Sequence, residues 1–105
     1  MTKEGLRTST AAADRILRQA RQVRLLLLDV DGVLTDGRLL YDHAGREFKQ
    51  FHVHDGLGIH WLLQAGIEVG IVSGRTSRAV EVRAQELGLT VVFQGIRNKW
   101  AVVQD

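Results

Sequence analysis

Two apolar patterns alternate along the chain. Ala13, Ile16, Leu17, Ala20 and Val23 recur at helical spacing, which predicts a helix over Ala11 to Gln22 with Thr10 as its N-cap. The residues before it, Met1 to Thr10, read as a loose polar lead. The next stretch, Leu25-Leu26-Leu27-Leu28-Asp29-Val30, is almost continuously apolar and stops at Asp31-Gly32, as a strand buried on both faces of a parallel sheet does. Arg38 to Tyr41 and Glu47 to Phe51 flank Asp42-His43-Ala44-Gly45, a hairpin-turn composition.

Further on, Leu57 to Ala65 carries Ile59, Leu62 and Leu63 on one helical face and ends at Gly66. Glu68 to Val72 reads as a second buried strand, closed by Ser73-Gly74. Ser77 to Leu87 reads as a helix with Val80, Ala84 and Leu87 inward and Gly88 as its stop. Thr90 to Phe93 is a third strand, and a helix begins at Asn98. The fold class is therefore α/β, an open parallel sheet wrapped by helices and joined by right-handed crossovers, with a hairpin set apart from it. In such sheets ligands sit beyond the carboxyl ends of the strands. All three strand ends here carry polar, reactive residues.

A length of 105 residues suits one small domain spanning the chain, and 45% hydrophobic with 25% charged residues is an ordinary globular composition. A formal charge of +2 gives no ground for a nucleic-acid partner. The densest basic stretch, Arg15 to Arg24, alternates with apolar residues and reads as a solvated helix face. Without cysteine there are no disulfides and no thiolate metal ligands. The first residues lack a signal-peptide core, and no apolar run reaches membrane-spanning length, so the expectation is a cytoplasmic protein without a membrane partner.

The chemistry gathers at the strand ends. Asp29 and Asp31 stand two residues apart where the first strand opens into a loop, so both carboxylates can reach one site, one attacking and one handling protons. An aspartate ending a leucine strand needs a cation or donors beside it. Ser73 taken alone reads equally well as a turn cap, Lys99 as a solvated lysine, and Arg75 as a partner of Glu81. His52, His54 and His60 could suggest zinc, but no further ligand accompanies them.

Taken together, Asp29-Val30-Asp31-Gly32-Val33-Leu34-Thr35, Val72-Ser73-Gly74-Arg75 and Lys99 after Gln94-Gly95 resemble, in order, the first three motifs of the haloacid dehalogenase superfamily. Thr35-Asp36-Gly37, Phe48-Lys49-Gln50-Phe51 and Asp55-Gly56-Leu57-Gly58-Ile59 bring the resemblance close to the 3-deoxy-D-manno-octulosonate 8-phosphate phosphatases of lipopolysaccharide precursor synthesis. It runs from about Leu25 to the C-terminus.

The resemblance implies a Rossmann-like sheet with a hairpin flap and no large cap domain, assembled as a homotetramer. It implies a magnesium-dependent phosphatase of small sugar phosphates, with Asp29 as nucleophile and Asp31 as acid and base. Ser73 would bind a phosphoryl oxygen and Lys99 would neutralise charge. Magnesium would be held by the Asp29 carboxylate and the Asp31 carbonyl. Substrate contacts would fall to Asp31, His52, Val53, His54, Asp55, Gly56, His60, Arg75, Arg83 and Lys99. The histidines at 52, 54 and 60 replace residues that are often asparagine or arginine in the family, and histidine carries only partial charge near neutrality.

The superfamily also uses a fourth, acidic motif after a further strand. Here the sequence stops at Asp105, six residues past Lys99, so Asp105 is not expected to be that ligand. A fragment of a longer protein is the expectation, with Leu25 to Val30 left as an apolar sheet edge. Two other readings are a catalytically silent interaction module of the same fold and a phosphatase-like module of acylneuraminate metabolism.

Overall fold

Three short parallel strands and the loops at their carboxyl ends organise the molecule. It is a computed structural model, and it describes residues 3–104. Helix α1 covers Lys3–Ala20 and strand β1 Leu25–Leu28. The hairpin strands β2 and β3 are Leu40–Tyr41 and Glu47–Phe48. Helix α2 (Val53–Gln64), β4 (Glu68–Val72), α3 (Arg78–Leu87), β5 (Val91–Phe93) and α4 (Lys99–Gln104) complete the order.

The parallel sheet has the order β1-β4-β5. Leu28 faces Ile71, and Val72 faces Phe93, so the three strands end side by side. β4 is the buried strand: Val69, Ile71 and Val72 join Val30, Leu34, Ile59, Val80, Ala84 and Leu89 in the core. Gly70 lets the strands close up, since a Cβ there would lie 2.8 Å from Val91 and 2.9 Å from Leu27.

β1 departs from the expectation of burial on both faces. Leu26 to Leu28 are only half-buried and Leu25 is exposed. The reason is position: among the described residues β1 pairs with β4 on one side and with no strand on the other. The strand also ends at Leu28 rather than Val30. Val30 turns fully inward, and its carbonyl accepts N–H bonds from Val33, Leu34 and Thr35 at 3.2, 2.9 and 3.1 Å. That anchor swings Asp29 and Asp31 out at the strand's mouth.

Other boundaries shift for local reasons. α1 extends through Lys3 to Thr10, so Thr10 lies within the helix and does not cap it; Met1, Thr2 and Asp105 lie outside the described residues. Ile16 and Leu17 mark the expected apolar stripe of α1, yet both are exposed and no described element covers them. α2 begins at Val53, four residues before Leu57, because the His52 ring caps it: Nδ1 accepts the His54 N–H at 3.0 Å. The hairpin is shorter than its sequence pattern, with two residues per strand. Its turn forms as read, with Asp42 Oδ1 accepting the N–H groups of Ala44 and Arg46 at 2.9 and 2.8 Å.

Candidate active site

The site is built where the loops after β1, β4 and β5 meet. After Asp29 the chain turns through Gly32 at φ +81°, a left-handed conformation that suits glycine. Thr35 Oγ1 closes this loop by accepting the N–H groups of Gly32 and Gly37 at 3.3 and 3.1 Å.

The β4 and β5 loops are laced together. Ser73 donates its N–H to the Phe93 carbonyl at 2.8 Å and accepts the Ile96 N–H at its own carbonyl at 3.0 Å. Gln94 Oε1 accepts the Ser77 N–H at 2.8 Å. The β5 loop then enters α4, whose first turn is held by Asn98 Oδ1 accepting from the Ala101 N–H at 3.2 Å. This path carries Lys99 back across the sheet to Asp29, with Nζ 2.7 Å from Oδ2. Oδ1 of Asp29 accepts the Val30 N–H at 2.7 Å. The Lys99 hydrogen bond, seconded by that of Val30, outweighs partial burial and holds the Asp29 carboxyl below its ordinary range. Asp29 is thus a carboxylate at neutral pH, exposed enough for a ligand to reach.

Asp31 is held by the hairpin. Lys49 Nζ lies 2.6 Å from its Oδ1 and 2.9 Å from Glu47 Oε1. The Lys49 side chain is only 4% exposed. Burial opposes its charge, but the hydrogen bonds to Asp31 and Glu47 outweigh burial and raise its pKa above the ordinary lysine value. Arg75 donates to Glu47 Oε2 at 2.7 Å and to the Tyr41 hydroxyl at 3.3 Å, while its Nε stays 3.9 Å from Asp31 Oδ2. Glu81, the partner considered for Arg75, pairs with Arg78 instead, at 2.7 Å. Ser73 is 2% exposed, and its Oγ accepts the Arg75 N–H at 3.3 Å.

A cleft of about 480 Å³ has Thr35, Asp36, Gln50, His52, His54 and Asp55 among its walls, while Asp29, Asp31, Ser73, Arg75 and Lys99 do not line it. The His52 and His54 rings lie 4.4 Å apart at 52°. Of the other expected substrate contacts, Val53 and His60 sit on an exposed face of α2 and do not line this cleft. Gly56 and Arg83 meet each other instead. A Cβ on Gly56 would stand 2.5 Å from the Arg83 guanidinium, which donates to the His52 carbonyl at 3.5 Å.

Glu47 and Lys49 are members of the site to which the sequence assigns no role: Glu47 reads only as a hairpin position, and Lys49 also as part of the Phe48-Lys49-Gln50-Phe51 segment that carries the family resemblance. The available signal was a lysine between Phe48 and Phe51, directly after the second hairpin strand.

Among the described residues no three His, Cys, Asp or Glu side chains gather as a metal site. The oxygen donors that the resemblance implies for magnesium are the Asp29 carboxylate and the Asp31 main-chain carbonyl. Each Asp29 oxygen spends one lone pair on the bonds above and keeps another. A small set of hard oxygens suits magnesium, which retains several waters, better than a softer metal.

No family model matches the chain. Over 109 aligned residues it is 42% identical to the 3-deoxy-D-manno-octulosonate 8-phosphate phosphatase of Escherichia coli K12, an alignment covering all of this chain and 57% of that protein. The chain therefore spans little more than half the length of the curated relatives it matches. The crystal structure of the Moraxella catarrhalis phosphatase of the same name, in complex with a magnesium ion, a phosphate ion and a KDO molecule, superposes with a TM-score of 0.83 at 41% identity, covering 87% of this chain and 52% of the other. A Legionella pneumophila structure, described as a HAD superfamily subfamily III A hydrolase, superposes at 0.89 with 37% identity, covering 92% and 53%.

Proposed function

We propose that this chain, which belongs by sequence and fold to the haloacid dehalogenase superfamily and closely resembles the 3-deoxy-D-manno-octulosonate 8-phosphate phosphatases, carries the phosphoryl-transfer centre of a sugar-phosphate monoesterase. The observation that carries the reading is the pairing of Lys99 with Asp29 at 2.7 Å, beside an Asp31 held by a second lysine.

In this reading the ionised Asp29 carboxylate attacks phosphorus in line with the sugar oxygen and becomes an aspartyl phosphate. Asp31 gives its proton to the departing alkoxide, then takes one from the water that attacks the acyl phosphate and frees Asp29. Lys99 offsets the charge that builds between carboxylate and phosphoryl group. Ser73, whose oxygen accepts the Arg75 N–H, donates its hydroxyl proton to a phosphoryl oxygen. Magnesium, held by the Asp29 carboxylate and the Asp31 carbonyl, supplies charge neutralisation when bound.

The substrate is 3-deoxy-D-manno-octulosonate 8-phosphate, a precursor of lipopolysaccharide, acted on in the cytoplasm. The cleft supports a polyhydroxy acid, because Asp36, Gln50 and Asp55 accept hydroxyl protons while His52 and His54 offer N–H donors. The relatives' names favour this substrate over one of acylneuraminate metabolism. The exposed apolar residues of the hairpin, Leu39, Leu40, Tyr41 and Phe48, support a homotetramer.

The test is phosphate release from a panel of sugar phosphates with and without magnesium, for the wild-type chain and Asp29→Asn. Magnesium-dependent turnover that vanishes in Asp29→Asn is the expected outcome. A second reading, a catalytically silent interaction module of the same fold, is favoured by the lack of a three-ligand acidic cluster among the described residues. Folded wild-type protein without turnover would decide for it.

A further inference from the structure

Asp31 has two oxygens in unlike surroundings. Oδ1 takes a 2.6 Å hydrogen bond from an ammonium that is almost wholly buried, while Oδ2 faces Arg75 only at 3.9 Å, beyond hydrogen-bonding reach. The cations around it are themselves fixed. Glu47 stands between them, accepting from Lys49 on Oε1 at 2.9 Å and from Arg75 on Oε2 at 2.7 Å. Tyr41, cross-strand neighbour of Glu47 in the hairpin, accepts from the same Arg75 nitrogen. The flap is thereby tied to the mouth of the sheet by charge-assisted bonds, and Lys49 is the link that touches the carboxylate.

We propose that Lys49 is a positioning residue for proton transfer: its ammonium occupies Oδ1 of Asp31 and turns Oδ2 toward the reacting group as the sole oxygen that carries the proton. The proposal rests on the phosphatase reading above. As the bond from Asp29 to phosphorus forms and the bond from phosphorus to the sugar oxygen breaks, the proton on Oδ2 passes to that oxygen. In the second step Oδ2 takes a proton from water as its oxygen bonds to phosphorus and the Asp29 oxygen leaves. Lys49 exchanges no proton in either step. A carboxyl free to rotate would offer the wrong oxygen part of the time, and misplacement of about 1 Å is enough to cost a hundredfold in rate.

The test uses the whole chain with magnesium and two esters, an alkyl sugar phosphate and p-nitrophenyl phosphate. The alkoxide needs a proton to depart and the nitrophenolate does not. In Lys49→Met we expect kcat for the sugar phosphate to fall about a hundredfold, with KM within a few-fold of wild type. With p-nitrophenyl phosphate the first turnover falls far less. It appears as a burst of about one nitrophenolate per chain before a slow steady state, because water attack still needs Asp31.

The double variant Lys49→Met with Glu47→Gln also removes the carboxylate that the single change deprives of one of its two cationic partners. It should melt closer to wild type and keep the same burst. Equal loss of the first turnover for both esters, or no loss for either, overturns the role of Lys49. Absence of magnesium-dependent release from the wild type sinks the phosphatase reading and this proposal with it, so the two failures are told apart.

Discussion

At the scale of single residues, the ionisation of Asp29, the proposed nucleophile, is set chiefly by one neighbour. Lys99 Nζ lies 2.7 Å from Asp29 Oδ2, and its hydrogen bond is the largest influence lowering the Asp29 pKa. Replacing Lys99 by Met should bring the Asp29 carboxyl back toward its ordinary range, read by ¹³C NMR titration of the carboxyl carbon. Turnover should fall about 10²- to 10³-fold, the usual effect of losing one donor to developing charge.

Glu47 offers a residue-scale test of stability. Its carboxyl is held low, first by the hydrogen bond from Lys49 and then by that from Arg75. A depressed folded-state pKa means that the unfolded chain binds the proton more tightly. The stabilisation is therefore full above the ordinary glutamate range, roughly pH 4–5, and is lost as pH falls through the lower folded value. Melting temperature followed from pH 7 to pH 2 should fall below pH 5, and Glu47→Gln should show a shallower fall.

At the scale of elements, β4 and its neighbours were the most legible part of the chain. Glu68–Val72 forms the strand its apolar run predicts, and Arg78–Leu87 lies between Ser77 and a left-handed Gly88 as the stop signal implies. These elements bury what their patterns mark, so local signal and tertiary packing agree. Gly70 carries more than strand propensity suggests, because its missing side chain lets Val91 and Leu27 approach. Gly70→Ala should destabilise the fold by about 1–3 kcal/mol through overpacking, measured by urea unfolding, with little change in helix content.

α2 was less legible at its start. Gly56 and a histidine cap disguised its first turn, and the cap works only because the His52 ring folds back onto the His54 N–H. The hairpin strands are shorter than their pattern implies, since apolar Leu39 and Phe51 extend the two segments beyond the residues that pair.

For the whole molecule, the radius of gyration is 17.3 Å, against about 13 Å for a compact chain of this length. The excess reflects α1, an apolar-striped helix that no described element covers; among the described residues β1 is also an open edge of the sheet. Leu25, Leu39, Leu40, Phe48, Val53 and Trp61 are exposed as well. Surface of this kind drives association. Sedimentation velocity should detect concentration-dependent species in the wild-type chain. Leu25→Lys, on the open edge, should reduce the largest of them while leaving the circular dichroism spectrum unchanged.

Sequence alone determined the alternation of strands and helices, the positions of Asp29, Asp31, Ser73 and Lys99 at or beyond strand ends, and the resemblance those residues carry. Each follows from local signals: apolar runs, glycine stops and short motifs at fixed offsets. Only the tertiary structure decided that Lys99 reaches Asp29, that Lys49 and Glu47 enter the site from the hairpin, and that Arg83 turns to the His52 carbonyl across Gly56. Those contacts join residues 18 to 70 positions apart. No periodicity encodes such pairings, because they depend on which loops the sheet register brings together and on which side chains burial leaves room to place.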